Sequence, residues 1–209
     1  VVFRVFTDVD IFGTGFAIAP PRGGTIFKQL VDNVLSPQIL GSDPHLTSYL
    51  WGRMYYDAIP CRSGDGIVRI CFAAVDMALW DIKGKAIGVT VSKVFGGHRD
   101  LVPTYANCAH HMPPDELAER AASYVAKGHK ALKIRGTRSF VTPDEATERV
   151  RQVRAAIGPD VRFMADANGS WDVDRAIQQL KKFEPYNLYW SEEPVTPGDI
   201  PGYVRVSAR

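Results

Sequence analysis

Apolar residues recur along this chain with two different rhythms, and the change from one to the other falls at Gly96–Gly97–His98–Arg99. In the first part, Val1, Phe3 and Val5 alternate with Val2, Arg4 and Phe6. The chain then turns at Asp8–Gly13 and a second short run covers Gly15–Ala19. Alternation of that kind on both sides of a turn predicts an antiparallel hairpin. Pro20, Pro21, Gly23 and Gly24 mark a loop. Thr25–Leu35 then carries apolar residues at 26, 27, 30, 31, 34 and 35, the stripe of an amphipathic helix. Ser42–Asp43–Pro44 sets an acceptor before a proline and predicts a helix over 44–56. Cys61–Gly66 is polar and reads as a loop. Ile67–Lys83 is the strongest helical pattern of this half, and Thr90–Phe95 adds a further turn. Ala73, Ala74 and Ala78 leave one of its faces small enough for close packing. Asp76 and Asp81 on this helix require a cap, an ion pair or a domain interface.

Beyond residue 98 short apolar runs alternate with helical stretches. The runs are Leu101–Ala106, Lys130–Ile134, Val161–Ala165 and Leu188–Trp190, and their first apolar residues recur every 27–30 positions. The helical stretches are Asp115–Lys127, Pro143–Ile157 and Val173–Phe183. Thr142 supplies an N-cap hydroxyl, Pro143 occupies the first helical position and Glu145 stands three residues after the cap, a capping box; Asp172 or Ser170 caps the third helix. This period suits βα units with a parallel sheet. The mixed character of the runs favours a barrel over a doubly wound sheet, because polar strand ends enter the top of a barrel. No Gly-rich dinucleotide fingerprint follows any of these strands and no P-loop occurs. Gly13–Thr14–Gly15 is too short and falls in the hairpin. The chain therefore reads as α/β, with an α+β region over 1–98 and βα units over 99–209.

Composition narrows the partners. With 25 Lys and Arg against 23 Asp and Glu, the formal charge is only +2, both signs are scattered, and no basic stripe points to nucleic acid. No apolar run approaches a membrane span, and no secretory signal is visible. Cys61, Cys71 and Cys108 are odd in number and widely spaced, which fits reduced thiols in a cytoplasmic protein. The chain starts on Val1 inside an expected strand, so a preceding segment could carry a targeting signal.

The chemistry lies in Val161–Pro194. Two apolar runs there end in carboxylates, Asp166 after the first, Glu192 and Glu193 after the second. Neighbouring parallel strands lie roughly 5 Å apart, so acids at equivalent strand ends reach a common point. Like charges held that close require a cation between them. Lys133 and Arg135, two residues apart on the preceding strand, share a face and enter the same space. Singly, each of these residues is more simply a solvated loop acid or a paired buried charge. Four charges on three strand ends indicate a site. His110 and His111 follow the first strand of this half at the same end, where a substrate contact competes with an ordinary surface loop. The Trp171 and Trp190 rings read as helix–strand packing.

Lys-x-Arg at 133–135, Asp-Ala-Asn-Gly at 166–169 and Glu-Glu-Pro at 192–194 together resemble the enolase superfamily, most closely its mandelate racemase/muconate lactonizing group. AAVDMALWDIKGKAIG followed by VSKVFGG is similar to the end of that group's capping region, so the likeness covers most of the chain. The resemblance implies an α+β capping domain and a partial (β/α)7β TIM-like barrel. It implies Asp166 and Glu192 as two of three carboxylate ligands for Mg²⁺, and Glu193 as an outer-sphere or orienting group. It also places Asn168 against substrate oxygens and Lys133 near the substrate carboxylate. Arg135 stands where many members have a second, proton-abstracting lysine. Since arginine stays protonated, Arg135 is better cast as an electrostatic clamp, and the base falls to a later residue, typically a His paired with Asp in acid-sugar dehydratases, or to Lys133.

The expected activity is Mg²⁺-dependent removal of the proton α to a carboxylate, with dehydration of an aldonate or aldarate as the leading case. A racemase, epimerase or cycloisomerase of the same superfamily, or a noncatalytic metal-binding relative, is the alternative. The partners implied are a small-molecule carboxylate and further copies of the chain in a homo-oligomer. The Pro20–Gly24 and Cys61–Gly66 loops are expected to close over the site and set specificity. A complete barrel needs roughly 250 residues, whereas only four strand-like runs follow the boundary here. The third ligand and the base are thus expected beyond Arg209, and the 209 residues alone are expected to be inactive.

Overall fold

The structure, a computed structural model, describes residues 1–57, 66–108, 112–135 and 141–208. It divides into two compact units, Val1–Leu101 and Val102–Arg209.

In the first unit, β1 (Val2–Phe6) pairs antiparallel with β2 (Phe12–Phe16), with Val2 opposite Phe16 and Phe6 opposite Phe12. Phe3 and Val5 turn inward, as the alternation predicts, while Val2, Phe6 and Phe16 remain exposed. The hairpin lies on α4 (Ile67–Ala86), and the reason is the Gly-Thr-Gly of β2. A Cβ on Gly13 would stand 1.9 Å from the Ala78 carbonyl oxygen, and one on Gly15 1.7 Å from that of Ala74. Two glycines on the strand and two alanines on the helix bring backbone against backbone. Thr14 between them donates its N–H to Asp81 at 2.8 Å, and Lys85 reaches the same carboxylate at 2.7 Å. Burial alone would raise the Asp81 pKa, but these hydrogen bonds outweigh it and hold the group below the usual carboxylate range. Asp76 behaves differently: burial pushes its pKa up against a hydrogen bond with Trp80, and its Oδ1 has no partner among the described residues.

Two helix expectations need correction. The stripe over 25–35 is not one α-helix but α1 (Gly24–Leu30) running into a π-helical turn, Val31–Leu35, and then α2 (Ser36–Ile39). The expected helix from Pro44 begins later, as α3 (Thr47–Gly52), and continues as a π-helical turn, Arg53–Asp57. Asp43 accepts the His45 N–H at 2.8 Å, so the expected cap closes an Asx-type turn instead. Phe27, Leu35, Leu50, Met54, Phe72 and Leu79 form the core of this unit. A short helix, α5 (Val91–Val94), follows α4.

The second unit is built on four parallel strands in the order β3-β4-β5-β6: Ala106–Cys108, Ala131–Arg135, Arg162–Asp166 and Trp190–Glu192. Between them run α6 (Pro114–Ala126), α7 (Pro143–Ile157) and α8 (Val173–Phe183), and α9 (Ile200–Ser207) follows β6. Each strand lies further along the chain than its apolar run suggests. The clearest case is the first, where Leu101–Tyr105 is not strand and Leu101 and Val102 are exposed. In the other three, Arg135, Asp166 and Glu192 are the last residues of their strands and pair in the ladder. Thr142 caps α7 and Asp172 caps α8, each accepting the N–H three residues on, while Ser170 hydrogen-bonds back to the Ala167 carbonyl.

Leu132, Ile134, Phe163 and Ala165 point to the helix-covered face, where Leu117, Val150, Val153, Ala176 and Phe183 enclose them. Arg154 ties this layer together at the N-terminal strand ends. Its guanidinium donates to the carbonyls of Tyr186, Gly158, Val161 and Asn187 at 2.8–2.9 Å. Charge-assisted hydrogen bonds contribute about 1.5–3 kcal/mol each, not additively, so Arg154→Met is expected to lower unfolding free energy by roughly 3–5 kcal/mol. Urea denaturation checks this, and a loss under about 1 kcal/mol would contradict it. Cys71 and Cys108 are buried free thiols. Burial drives the Cys108 pKa up to about 11, against a small opposing effect of Arg120. Its thiol form is therefore favoured by folding: that stability is whole below the unfolded pKa of about 8.5 and is lost as pH rises through the folded value. Disulfide-exchange reagent at pH 8 is expected to leave both thiols unmodified until the protein is unfolded.

Among the described residues, no helix is long and apolar enough to cross a membrane.

Candidate active site

The register of the sheet decides which charges meet. Arg135 pairs with Asp166 and Asp166 with Glu192, while Lys133 pairs with Met164, Met164 with Trp190, and Asn107 with Lys133. Side chains two residues apart, and side chains in register on adjacent parallel strands, share a face. Asn107, Lys133, Arg135, Asp166, Trp190 and Glu192 therefore all stand on the face opposite the helices.

Lys133 is 5% exposed and Asp166 2%. The lysine donates to both carboxylate oxygens of Glu192 at 2.8 Å and lies 3.4 Å from Asp166 Oδ2. Arg135 Nε lies 3.6 Å from the same Asp166 oxygen. That nitrogen is itself buried and has no hydrogen-bond partner among the described residues. Burial pulls the Lys133 pKa down, but hydrogen bonds with Glu192 and Tyr105 and the charges of Asp166 and Glu192 outweigh it and leave it raised. The four groups are neutral in sum, two cations against two anions, and with Arg135 and Glu192 only half-buried this balance makes the burial of Lys133 and Asp166 tolerable.

Of the expected site residues, Lys133, Arg135, Asp166 and Glu192 come together. Asn168 lies just beyond β5 with its backbone N–H donated to Asp166 Oδ1 at 2.9 Å. Glu193 is exposed beyond β6. His110 lies outside the described residues, as do His111 and positions 58–65, which hold most of the Cys61–Gly66 loop. Trp190 is a correction. It does not pack between helix and strand but stands on the charged face, with Nε1 3.4 Å from Glu192 Oε2. Trp171 is buried against Phe183, as expected.

Two residues were missed. Tyr105 sits edge-on to Trp190, with ring centroids 5.9 Å apart, and the Lys133 ammonium lies 5.4 Å from its ring centre. Asn107 is exposed and in register with Lys133. The signal available was the spacing Tyr105-x-Asn107, but it identifies a face only once the strand is placed at Ala106–Cys108. A cavity of about 720 Å³ opens at the other, N-terminal ends of the strands, lined among others by His129, Lys130, Asp160 and Arg162. It also takes in Tyr105, Met164 and Trp190 from the charged face, but its one carboxylate gives it no paired acids.

The donor set fits a hard divalent cation. Asp166 and Glu192 aim their oxygens at one point that a cation, the Lys133 ammonium, already satisfies, and carboxylate oxygens are the donors Mg²⁺ selects. Among the described residues no group of three or more His, Cys, Asp or Glu is gathered for a metal.

A parallel sheet with acids and cations gathered at its C-terminal strand ends is the arrangement of an α/β enzyme. The family model described as mandelate racemase / muconate lactonizing enzyme, N-terminal domain, matches residues 1–96, and the one described as enolase C-terminal domain-like matches 116–209. The chain belongs to the mandelate racemase/muconate lactonizing enzyme family of the enolase superfamily. It is 32% identical to 3,6-anhydro-alpha-L-galactonate cycloisomerase of Streptomyces coelicolor, over 93% of this chain and 53% of that protein. It is also 32% identical to L-talarate/galactarate dehydratase of Salmonella typhimurium, over 94% of this chain and 49% of that protein. Among solved structures, a racemase from Streptomyces coelicolor A3(2) with bound magnesium superposes with a TM-score of 0.89 at 30% identity, covering 97% of this chain and 56% of that one. The chain spans about half the length of the curated relatives it matches.

Proposed function

We propose that the protein removes the proton α to a carboxylate in a Mg²⁺-dependent reaction, and that it dehydrates a sugar acid, aldonate or aldarate, to a 2-keto-3-deoxy acid. The observation that carries this reading is the convergence of Asp166 and Glu192 on one cationic point with Lys133 and Arg135 beside them. The βα units are read as part of a (β/α)7β barrel, with residues 1–98 as its capping domain and 99–209 in the barrel. Further copies of the chain are read as its oligomeric partners.

Asp166 and Glu192 would hold Mg²⁺, which when bound supplies positive charge against the substrate carboxylate oxygens. Everything else is asked of the chain's own groups. Arg135 Nε has no acceptor among the described residues, and a substrate carboxylate oxygen would supply one. Arginine cannot accept a proton near neutral pH, so Arg135 clamps and stabilises rather than abstracts. Lys133, its pKa raised, is an ammonium that faces the same oxygens. As the α C–H bond breaks, its electron pair moves onto the carboxylate, and these two cations meet the charge where it grows. A base on another element takes the α proton; the electron pair then expels the β-hydroxyl, which leaves as water with a proton from such an acid–base group, and the enol left behind ketonises to the 2-keto-3-deoxy acid. Asn168 and Glu193, on the loops beyond β5 and β6, are read as bonding substrate oxygens, and His110 is assigned the same role.

A second reading is cycloisomerisation or epimerisation through the same proton abstraction; the cycloisomerase relative at 32% identity favours it. A panel of aldonic and aldaric acids and their lactones, assayed with Mg²⁺ in the longest natural form carrying this sequence, separates the two. Dehydration gives a 2-keto acid, trapped by semicarbazide, that is lighter than its substrate by one water; opening of a lactone or anhydro ring by the same elimination gives a 2-keto acid of unchanged mass; epimerisation gives solvent deuterium at Cα without a keto acid. None of these products across the panel, with Mg²⁺ bound, would leave the noncatalytic relative.

A further inference from the structure

Beyond the last ladder pair, Asp166 and Glu192, the two chains do not separate. Ala167 N–H donates to the Glu192 carbonyl at 2.9 Å and Gly169 N–H to the Glu193 carbonyl at 2.8 Å. The donors are two residues apart while the acceptors are adjacent, so the second rung takes up an extra residue on the β5 side, as a bulge does. Bulges beside active sites re-aim the side chains next to them. The backbone shows the cost of this offset. Asn168, Gly169 and Glu193 all have positive φ, at 48°, 65° and 46°, a region that side-chain-bearing residues enter at a penalty. A Cβ on Gly169 would stand 3.3 Å from Thr196 Cα and 3.6 Å from the Val195 carbonyl oxygen. The Tyr203 hydroxyl on α9 donates to that same Val195 carbonyl at 3.0 Å and holds the β6 side of the offset in place.

We propose that this backbone strap, from Gly169 to the Glu193 peptide and braced by Tyr203, sets the separation and aim of the Asp166 and Glu192 carboxylates. Gly169 and Tyr203 are on this account positioning residues that touch no reacting atom. The physical argument is one of stiffness. Parallel strands of five and three residues end at Asp166 and Glu192, and strand ends fray unless the chain beyond them is tied. A carboxylate on a frayed end loses entropy each time it is brought to a cation. The Asn168 N–H to Asp166 Oδ1 bond orients one carboxylate from within the strap, and the Ala167–Glu192 rung fixes the backbone of the other. The proposal rests on the reading of these two acids as cation ligands, but the strap also governs the Lys133 contacts, which need no metal.

The test compares Gly169→Ala with Gly158→Ala. Gly158 also has positive φ, at 76°, with nothing within 4 Å of its Cβ position, and it lies at the opposite ends of the strands. It carries backbone strain without touching the strap. Mn²⁺ binding is followed by electron paramagnetic resonance, and the Lys133 ammonium by its ¹⁵Nζ resonance, protected while both carboxylates hold it. Gly169→Ala is expected to weaken Mn²⁺ binding about tenfold or more, the effect of losing an outer-shell support, and to lose the protected resonance. Gly158→Ala, at a similar fall in Tm, is expected to leave both as in the parent. Tyr203→Phe, which removes a single hydroxyl, is expected to weaken Mn²⁺ binding by about threefold and to broaden the resonance; it decides the matter should Gly169→Ala not fold. Gly169→Ala matching Gly158→Ala in both readouts, or an unaltered resonance in folded Tyr203→Phe, overturns the strap. If the parent chain takes up no Mn²⁺, the metal reading is what fails, and the Lys133 resonance alone decides the strap.

Discussion

Asp166→Asn is expected to abolish Mg²⁺-dependent turnover and to weaken divalent-cation binding by roughly 100-fold or more. Losing an outer-shell partner alone costs 10–100-fold in comparable sites, and Asp166 is read as a direct ligand. The substitution keeps the shape and removes one charge. Asp166 is almost fully buried, faces Lys133 and Arg135 together, and takes the Asn168 N–H. Its neutralisation leaves two cations against Glu192 alone. A modest fall in unfolding free energy, about 1–3 kcal/mol, accompanies the loss, the cost of breaking charge-assisted hydrogen bonds. Titration calorimetry with Mg²⁺ and urea denaturation read the two effects separately. Cation affinity within a few-fold of the parent would remove Asp166 from the ligand set and with it the basis of the proposed reaction.

Lys133→Met is expected to have the larger structural effect. The methionine keeps the length of the side chain but leaves two carboxylates facing each other with Arg135 as their remaining cation. Breaking a buried ion pair by removing one partner destabilises by about 3–5 kcal/mol, because an uncompensated charge remains. Here a divalent cation can replace what was lost. Saturating Mg²⁺ at about 100 times its dissociation constant stabilises a binding-competent fold by about 2.7 kcal/mol. It should therefore restore a large part of the stability of Lys133→Met and raise its Tm more than it raises that of the parent, in which the ammonium competes for the same oxygens. Turnover should still fall by about 10²–10⁴-fold, the usual contribution of a group acting on proton transfer or the developing charge. A Tm of Lys133→Met that does not respond to Mg²⁺ would mean that the ammonium and the cation do not share a position.

The two variants together separate a metal site from a structural ion pair. In a structural cluster both substitutions destabilise and Mg²⁺ changes neither. In a metal site the first destroys the response to Mg²⁺ and the second enhances it.

Much of this site was legible along the chain. Asp166 and Glu192 each close a short apolar run, Lys133 and Arg135 are two residues apart on another, and a repeat of 27–30 residues places those runs side by side. Local signals as strong as Thr142–Pro143–Asp144–Glu145 place α7 to the residue. Where expectation and structure differ, the cause is an interaction between distant residues. The strands run later than their apolar runs, and this sets Arg135, Asp166 and Glu192 in one row of the ladder. Gly13–Thr14–Gly15, which meant little as a motif, is there because two α4 carbonyls lie against it. Trp190 reads as core from its type alone, yet its Nε1 points to Glu192 on the charged face.

The sequence by itself determined the elements, the order of the βα units and the types of residue at the strand ends, because periodicity, capping and turn chemistry act over a few residues. Only the tertiary structure decided the register that sets Arg135, Asp166 and Glu192 in one row, the burial that forces Lys133 to serve both acids, and the strap at Gly169 and Glu193. Those depend on distances between residues that the chain keeps about 24 to 59 positions apart, and only packing brings such residues together.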